Sequence, residues 1–314
     1  MDEFDLIRRY FADLTPQRDD IPLGIGDDAA LLRMSSGFEL AVSTDTLIAG
    51  RHFPEATASA DIGWKALAVN LSDLAAMGAD PWAFTLALSL PGADATWLRG
   101  FAEGLGAMAR AAEIALVGGD TTCGPLSITV TVLGRIPQGQ ALRRSGAKLG
   151  DMVCVTGTLG DAALALTRLE SGAEVPALLR ARLDRPQPRL DAGLALRDLA
   201  HAAIDLSDGL SGDLAHLLDA SGVGAAVRVD LLPASAVFDR TLTQGESRLA
   251  LQVSGGDDYE LCACIPPDRV ADAIAACGPT PLTVIGRVTR EPGLRFCTSS
   301  GAIIPVEAQA YRHF

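Results

Sequence analysis

Asp28, Asp45, Asp120, Asp205, Asp208 and Asp257 share one kind of position: each stands at the end of a run that reads as a strand, beside Gly, Ser or Thr. One such Asp is ordinarily a turn residue, because Asp and Gly both favour turns. Six at the same kind of address suggest something more. A seventh, Asp73, lies in DIGWKALAVNLSDLAAMGADP (61–81), between Val69 and Ala76 on an apolar stripe. A carboxylate there must be paired, hydrogen-bonded or metal-bound. If these acids converge, their repulsion requires cations. Carboxylate, Ser and Thr oxygens are hard ligands that suit Mg²⁺, whereas the four His residues are too scattered for a zinc site. Several Mg²⁺ ions suggest phosphate. Gly118-Gly119 and Gly157–Gly160, read as turns entering helices, offer backbone N–H groups to phosphate oxygens, and Arg144 could clamp another. There is no GxxxxGK[ST], so the P-loop is excluded, and Gly104-x-Gly106-x-x-Ala109 has a helical pattern rather than that of a dinucleotide turn.

The elements that must position these residues follow from periodicity. Residues 61–81 read as a helix with Ile62, Ala66, Val69 and Ala76 on one face and Leu67, Leu71 and Leu74 on a second, hence buried between layers. Residues 2–14 read as a helix with Phe4, Ile7, Phe11 and Leu14 on one side. The segment 23–32, LGIGDDAALL, reads as a tight turn feeding a strand. Strands are expected at Phe38–Thr46, Trp82–Leu90, Ile114–Val117 (broken by Gly118–Thr122) and Leu126–Ile136. A helix is expected at Asp94–Ala112 with Trp97, Phe101, Leu105 and Met108 inward. Pro137–Gln140 reads as a boundary between domains 1–137 and 138–314. The second half has strands at Asp151–Thr156, Ala202–Leu206 and Leu261–Ile265, a helix from 161, two helical segments around Arg185-Pro186-Gln187-Pro188 and a helix to about Ala220. A helix, two strands and an apolar tail, Tyr311–Phe314, close it. Strands and helices alternate, so the class is α/β or α+β with mixed sheets in two lobes.

The 314 residues are 48% hydrophobic and 21% charged, which is globular, and long enough for two cores. A formal charge of −13 argues against nucleic acid or an anionic membrane as partner. No apolar run approaches a membrane span. The N-terminal stretch is acidic and amphipathic, unlike a secretory leader. Cys123, Cys154, Cys262, Cys264, Cys277 and Cys297 include no CxxC and read as free thiols of a reducing cytoplasm.

Seven motifs in order, GIGDDAALL (24–32), STDTLIAGRHF (43–53), KALAVNLSDLAAMGADP (65–81), GGDTTCGPLS (118–127), RSGAK (144–148), IDLSDGLSGDL (204–214) and SGGDDYEL (254–261), closely resemble the thiamine-phosphate kinase family. The resemblance runs over essentially the whole chain. It implies the two-domain α/β fold shared with aminoimidazole ribonucleotide synthetase and a homodimer whose N-terminal sheets pair into a barrel. It implies the reaction ATP + thiamine phosphate → ADP + thiamine diphosphate, with domain 1–137 binding ATP and Mg²⁺ and domain 138–314 completing the ATP and substrate site. Asp28, Ser43, Thr44, Asp45, Asp73, Asp120, Asp205 and Asp208 would hold several Mg²⁺. Gly119, Asp120, Arg144 and Ser207 would contact ATP, and His52, Asp257 and Tyr311 would contact thiamine phosphate. The family often has Glu where this chain has Asp257, one methylene shorter, which leaves a direct and a water-bridged contact both open.

No general base is expected. The attacking phosphate has a second pKa of about 6 and is already anionic near neutral pH. Metal ions and Arg144 would offset the repulsion between the two anions. Trp64, Trp82 and Trp97 read as core. Asp27, Asp161, Asp213 and Asp258 read as turn, cap or supporting acids, with Asp213 on a solvated side. Selenophosphate synthetase and the hydrogenase-maturation relative fit poorly, because the reactive cysteines they need have no counterpart. Aminoimidazole ribonucleotide synthetase and a non-catalytic nucleotide sensor remain as alternatives.

Overall fold

The structure is a computed structural model that describes residues 3–306. The chain divides into two compact units, Met1–Leu74 with Ala79–Gly139, and Ala75–Gly78 with Gln140–Phe314.

In the first unit, helix α1 (Glu3–Tyr10) and a 3₁₀ turn (Ala12–Leu14) lead through an irregular segment to β1 (Phe38–Ile48). Then come α2 (Ser59–Ala76), β2 (Asp80–Leu90), α3 (Ala95–Ala111), β3 (Ala115–Cys123) and β4 (Ser127–Pro137). The sheet order is β1-β4-β2-β3. Only β2 and β3 run parallel, and α3 is the crossover that a parallel pair requires. Asp94 caps α3 by accepting from Thr96 N at 2.7 Å and Trp97 N at 3.0 Å. As the two apolar stripes require, α2 is buried along nearly its whole length. Helices α2 and α3 touch through glycines. A Cβ on Gly63 would lie 2.1 Å from Phe101 O, and one on Gly104 would lie 1.8 Å from Ala60 O. On β4 the alternation is complete: Ile128, Val130, Val132 and Ile136 are buried. On β1, Phe38, Leu40, Val42 and Ile48 are exposed on the face that also carries Thr44 and Thr46.

Two expectations change here. The segment 23–32 forms no strand. It makes only isolated bridges, Leu23↔Leu31 and Ile25↔Asp27, and Leu31 is 57% exposed. Its residues pair with no strand, and Ala30 and Leu32 pack instead against the cluster of Trp82, Ala83, Ala115 and Val117. What holds it is Asp20, which accepts from Arg18 at 2.8 Å, Arg135 at 3.0 Å and Trp82 Nε1 at 3.0 Å. Ile21 joins the Trp82, Ala83, Ala115 and Val117 cluster beside it. The second change is at Gly118-Gly119, which does not break a strand: β3 continues through it to Cys123, with a register shift between Phe84 and Thr85 on β2.

The second unit contains β5 (Met152–Thr156), α4 (Asp161–Glu170), α5 (Ala177–Asp184), α6 (Leu190–Leu196), β6 (Ala202–Leu206), α7 (Leu210–Ser221) and β7 (Gly224–Arg228). It continues with α8 (Ala236–Thr241), α9 (Arg248–Ser254), β8 (Glu260–Ile265), α10 (Val270–Ala276), β9 (Leu282–Thr289), β10 (Gly293–Cys297) and β11 (Ile303–Ile304). The seven strands lie in the order β11-β10-β7-β9-β5-β8-β6, and only β10 and β7 are parallel. Both faces are covered. Val153, Val155, Ile204 and Leu206 face one core, while Cys154, Ala203, Leu261 and Ala263 face the other. Cys154, Cys262, Cys264 and Cys277 are buried in these layers as small apolar side chains. The short elements β7, α8 and α9 were not marked by periodicity.

Candidate functional site

In the first unit, α2 grips the edge strand at two points one helical step apart. Ser43 Oγ donates to Asp73 Oδ2 at 2.5 Å. Three residues earlier, Asn70 Oδ1 accepts the Asp45 N–H at 2.9 Å, while its Nδ2 donates to Ala66 O at 3.0 Å. Asn70 is fully buried, and both ends of its amide are bonded. Alternation along β1 places the Ser43 and Asp45 side chains on one face. The acid on the apolar stripe of α2 thus accepts a hydrogen bond from a hydroxyl of β1. Thr44 points the other way, with its Oγ1 2.9 Å from Thr131 Oγ1, so any metal contact of Thr44 falls to its backbone oxygen.

Asp120 is exposed on β3. Strand register sets it in the row Thr46–Thr129–Ala87–Asp120, on the face opposite Asp45. Before it, Gly119 has φ +150, and a Cβ there would lie 1.9 Å from Leu86 O, which admits glycine alone. Asp28 is exposed in the irregular segment, its N–H donating to Asp27 Oδ1 at 2.8 Å. His52 Nδ1 accepts the Ile48 N–H at 3.0 Å. An accepting Nδ1 carries no proton, so the neutral ring carries it on Nε2, which is a hydrogen-bond donor.

In the second unit, Asp205 is buried near the end of β6, and Ser207 and Asp208 follow in the turn into α7. Asp213, expected on a solvated side, is buried instead. Its carboxylate reaches back over the first turn of α7 and accepts the Asp208 N–H at 3.0 Å. Burial pushes the Asp213 carboxyl up to about 7, and the Asp208 charge adds to this. The N–H groups of Asp208 and Ser207 and the charge of Arg144 pull the other way, so Arg144, itself exposed, acts electrostatically on this turn. Ser221 Oγ anchors the arginine by donating to Arg144 O at 3.0 Å.

The segment Gly255–Tyr259 runs against the same turn. Asp257 N donates to Ser207 O at 2.9 Å and Tyr259 N to Leu206 O at 2.8 Å. Asp257 and Tyr259 both have positive φ, +66 and +49, and the Tyr259 hydroxyl donates to Asp257 Oδ1 at 3.0 Å. Asp257, Ser207 and Asp208 are therefore brought together. The expected phosphate turn at Gly157–Gly160 is not free to serve. Gly157 N donates to Pro281 O, Leu159 N to Pro233 O, and Gly160 N to both oxygens of Asp258 at 3.0 and 3.1 Å. Asp258 and Asp161 are buried supports of this turn, and burial pushes the Asp258 carboxyl well above its ordinary range. Tyr311 lies outside the described residues.

Among the described residues, no three His, Cys, Asp or Glu side chains are gathered into a metal site. The acids stand instead in smaller groupings: Ser43 with Asp73, Asp208 with Asp213, and Asp257 with Tyr259. The donor sets are carboxylates and hydroxyls throughout, which fits a hard divalent cation and no softer metal. Asn70, Tyr259 and Glu260 support these groupings and were missed by the sequence reading, which named Asp213 only as a turn, cap or supporting acid. Only Asn70 carried a local signal, its i, i+3 spacing from Asp73 on α2.

Two family models match the chain: AIR synthase related protein, N-terminal domain, over residues 26–136, and AIR synthase related protein, C-terminal domain, over residues 148–297. The thiamine-monophosphate kinase of Salmonella typhimurium strain LT2 is 48% identical over 99% of this chain and 98% of its own. A crystal structure of thiamine-monophosphate kinase from Stenotrophomonas maltophilia K279a matches with a TM-score of 0.87 and 49% identity, covering 94% of this chain and 96% of that one. A structure described as AaThiL complexed with AMPPCP and TMP matches with a TM-score of 0.81 and 31% identity, covering 92% of each chain. On identity and coverage of this extent, the chain belongs to the thiamine-monophosphate kinase family.

Proposed function

We propose that this chain transfers the terminal phosphoryl group of ATP to thiamine phosphate, giving ADP and thiamine diphosphate, in a Mg²⁺-dependent reaction. The observation that carries the reading is the likeness, over 92% of both chains, to a structure complexed with AMPPCP and TMP. A phosphate oxygen of thiamine phosphate attacks the γ-phosphorus, and the bond from that phosphorus to the ADP oxygen breaks. The attacking oxygen is already ionised near neutral pH, its second pKa being about 6, so no side chain need remove a proton.

The residues present fit that task. His52, with its proton on Nε2, is a donor to a phosphate oxygen and not a base. Arg144, whose charge acts on the α7 turn that carries Ser207, supplies positive charge toward ATP, and Ser207 supplies a hydroxyl. Asp257, aimed by the Tyr259 hydroxyl, contacts thiamine phosphate directly or through water. Asp28, Ser43, Asp45, Asp73 and Asp120 of the first unit, with the Thr44 backbone, and Asp205 and Asp208 of the second would hold Mg²⁺. Mg²⁺ held by these residues would supply neutralisation of the phosphate charge during transfer. Gly119 would contact ATP through its backbone, next to Asp120.

The protein acts as a homodimer whose N-terminal sheets pair into a barrel, through the open edge and the bare face of β1. Phe38, Leu40, Val42 and Ile48 are each exposed by more than two-fifths there, a patch that a second copy would cover. It works in a reducing cytoplasm, in keeping with six free cysteines. No described helix is long and apolar enough to cross a membrane.

The test is coupled ADP release with thiamine phosphate, with the product identified chromatographically. Equimolar ADP and thiamine diphosphate are expected. Binding of Mg²⁺–ATP without thiamine diphosphate, or turnover only with formylglycinamidine ribonucleotide, would overturn the reading.

A further inference from the structure

Glu260, the first residue of β8, is fully buried and ionised, yet none of its oxygens is available to a ligand. Oε1 accepts from Arg182 Nη2 at 2.7 Å and Arg189 Nη2 at 2.6 Å. Oε2 accepts from Arg189 Nε at 2.6 Å and Thr156 Oγ1 at 2.7 Å. Burial opposes its ionisation, but Arg189, Arg182 and Thr156 outweigh burial and hold the carboxyl below its usual range. The two arginines come from α5 and from the end of the turn Arg185–Arg189.

The cluster also reaches past Tyr259. Arg182 Nη2 donates to Asp258 O at 3.4 Å, and the Asp258 carboxylate holds the Gly160 N–H. Both neighbours of Tyr259 are thereby fixed. The residues with unfavourable backbone alternate with the two that are held: Asp257 precedes Asp258, and Tyr259 lies between Asp258 and Glu260. Asp257 and Tyr259 sit at φ +66 and +49, a region non-glycine residues adopt only when their surroundings impose it. In that conformation the Tyr259 hydroxyl meets Asp257 Oδ1.

We infer that Arg182, Arg189, Glu260 and Tyr259 are positioning residues: the buried ion cluster imposes the left-handed backbone at 257 and 259, and the Tyr259 hydroxyl then aims Asp257 at thiamine phosphate. This rests on the reading of Asp257 as a substrate contact. In this reading all four act through Asp257. A cluster that merely stabilised the unit would affect both substrates alike, whereas this one acts on the thiamine phosphate side.

The experiment compares Asp257→Asn, Tyr259→Phe, Arg189→Lys and the double variant Asp257→Asn/Tyr259→Phe in the full chain. It reads KM for thiamine phosphate, KM for ATP, kcat and thermal midpoint. Tyr259→Phe removes one hydroxyl and leaves the fold intact, so it keeps the test decisive if Arg189→Lys folds poorly. Losing one charge-assisted hydrogen bond is expected to raise KM for thiamine phosphate about fivefold or more in Tyr259→Phe. Arg189→Lys is expected to do the same, since an ammonium cannot replace the bidentate fork. KM for ATP should stay within about twofold, and Tyr259→Phe should add nothing to Asp257→Asn, as coupled residues behave. Equal shifts in both KM values, or additive effects in the double variant, would overturn the inference. An effect in Asp257→Asn with none in Tyr259→Phe or Arg189→Lys would refute the positioning role alone. An unchanged Asp257→Asn would remove the substrate-contact reading and the inference with it.

Discussion

The Ser43 hydroxyl lies 2.5 Å from Asp73 Oδ2 and ties the sheet-edge strand β1 to the buried helix α2. The contact fixes the direction of the Asp73 carboxylate, as a metal ligand requires. Asn has nearly the same shape and can still accept from Ser43. Asp73→Asn should therefore keep the fold, with a thermal midpoint within a few degrees of the parent, and lose activity by about a hundredfold or more, the cost typical of removing a charge that stabilises the transition state. Parallel calorimetry and steady-state assays check this. Unchanged turnover would count against Asp73 as a ligand.

Asp20 predicts a pH dependence of stability. The hydrogen bond from Arg18, with the charges of Arg18 and Arg135 and the Trp82 N–H, holds its carboxyl below the usual carboxylate range against the opposing effect of burial. A depressed carboxyl stabilises the fold above its unfolded value, about 3.9, and that stability is lost as pH falls through the folded value. The site is partly open to water, so the effect is at most about 1 kcal/mol. Asp20→Asn should lower the thermal midpoint at pH 7, and the gap to the parent should close as the pH falls below about 4. A gap that does not depend on pH would show that the carboxylate charge is not what holds residues 18–34.

Thiol reactivity should divide the cysteines by burial. Cys123 is exposed and Cys297 half-buried, while Cys154, Cys262, Cys264 and Cys277 are buried. Burial pushes the Cys154 thiol up to about 12, so raising the pH to 9 should not make it reactive. Titration with a disulfide reagent should modify Cys123 quickly and Cys297 slowly, and the other four only in denaturant. Rapid modification of four or more native thiols would contradict the packing of β5 and β8.

Subunit association is tested on β1. Val42 is 57% exposed at the centre of the apolar face, away from Ser43 and Asp45. Val42→Lys should convert the dimer to a monomer in sedimentation equilibrium, because a buried unpaired ammonium costs several kcal/mol. A monomeric parent protein, or a dimer unaffected by the change, would place the interface elsewhere.

How much of this was legible in the residues depended on how local the cause was. Helix α2 and strands β1, β2 and β4 announced themselves by period, since their burial is one-dimensional. The strand expected after Gly26 did not form, because an apolar run becomes a strand only if a partner strand is present, and Leu31 has none. The short β7, α8 and α9 are held by tertiary packing more than by pattern. Glu260 was the least legible. Its partners Arg189 and Thr156 lie 71 and 104 positions away, and SGGDDYEL gives no hint that its last acid is wholly enclosed. Asp213 misled for a related reason: helical spacing from Asp208 says which residues share a face, not whether that face is wet.

Strand β1 has one further consequence. It is eleven residues long, flanks the sheet with β4 as its neighbour on one side only, and between Phe38 and Ile48 carries just two ionisable groups, Glu39 and Asp45. It has neither proline nor lysine, the devices that usually keep an open margin from recruiting foreign backbone. During synthesis, before a second copy is at hand, this margin is where misassembly would start. The yield of usable enzyme should therefore depend on how quickly nascent chains meet, and overproduction at high temperature would expose this weakness before any defect in catalysis appeared.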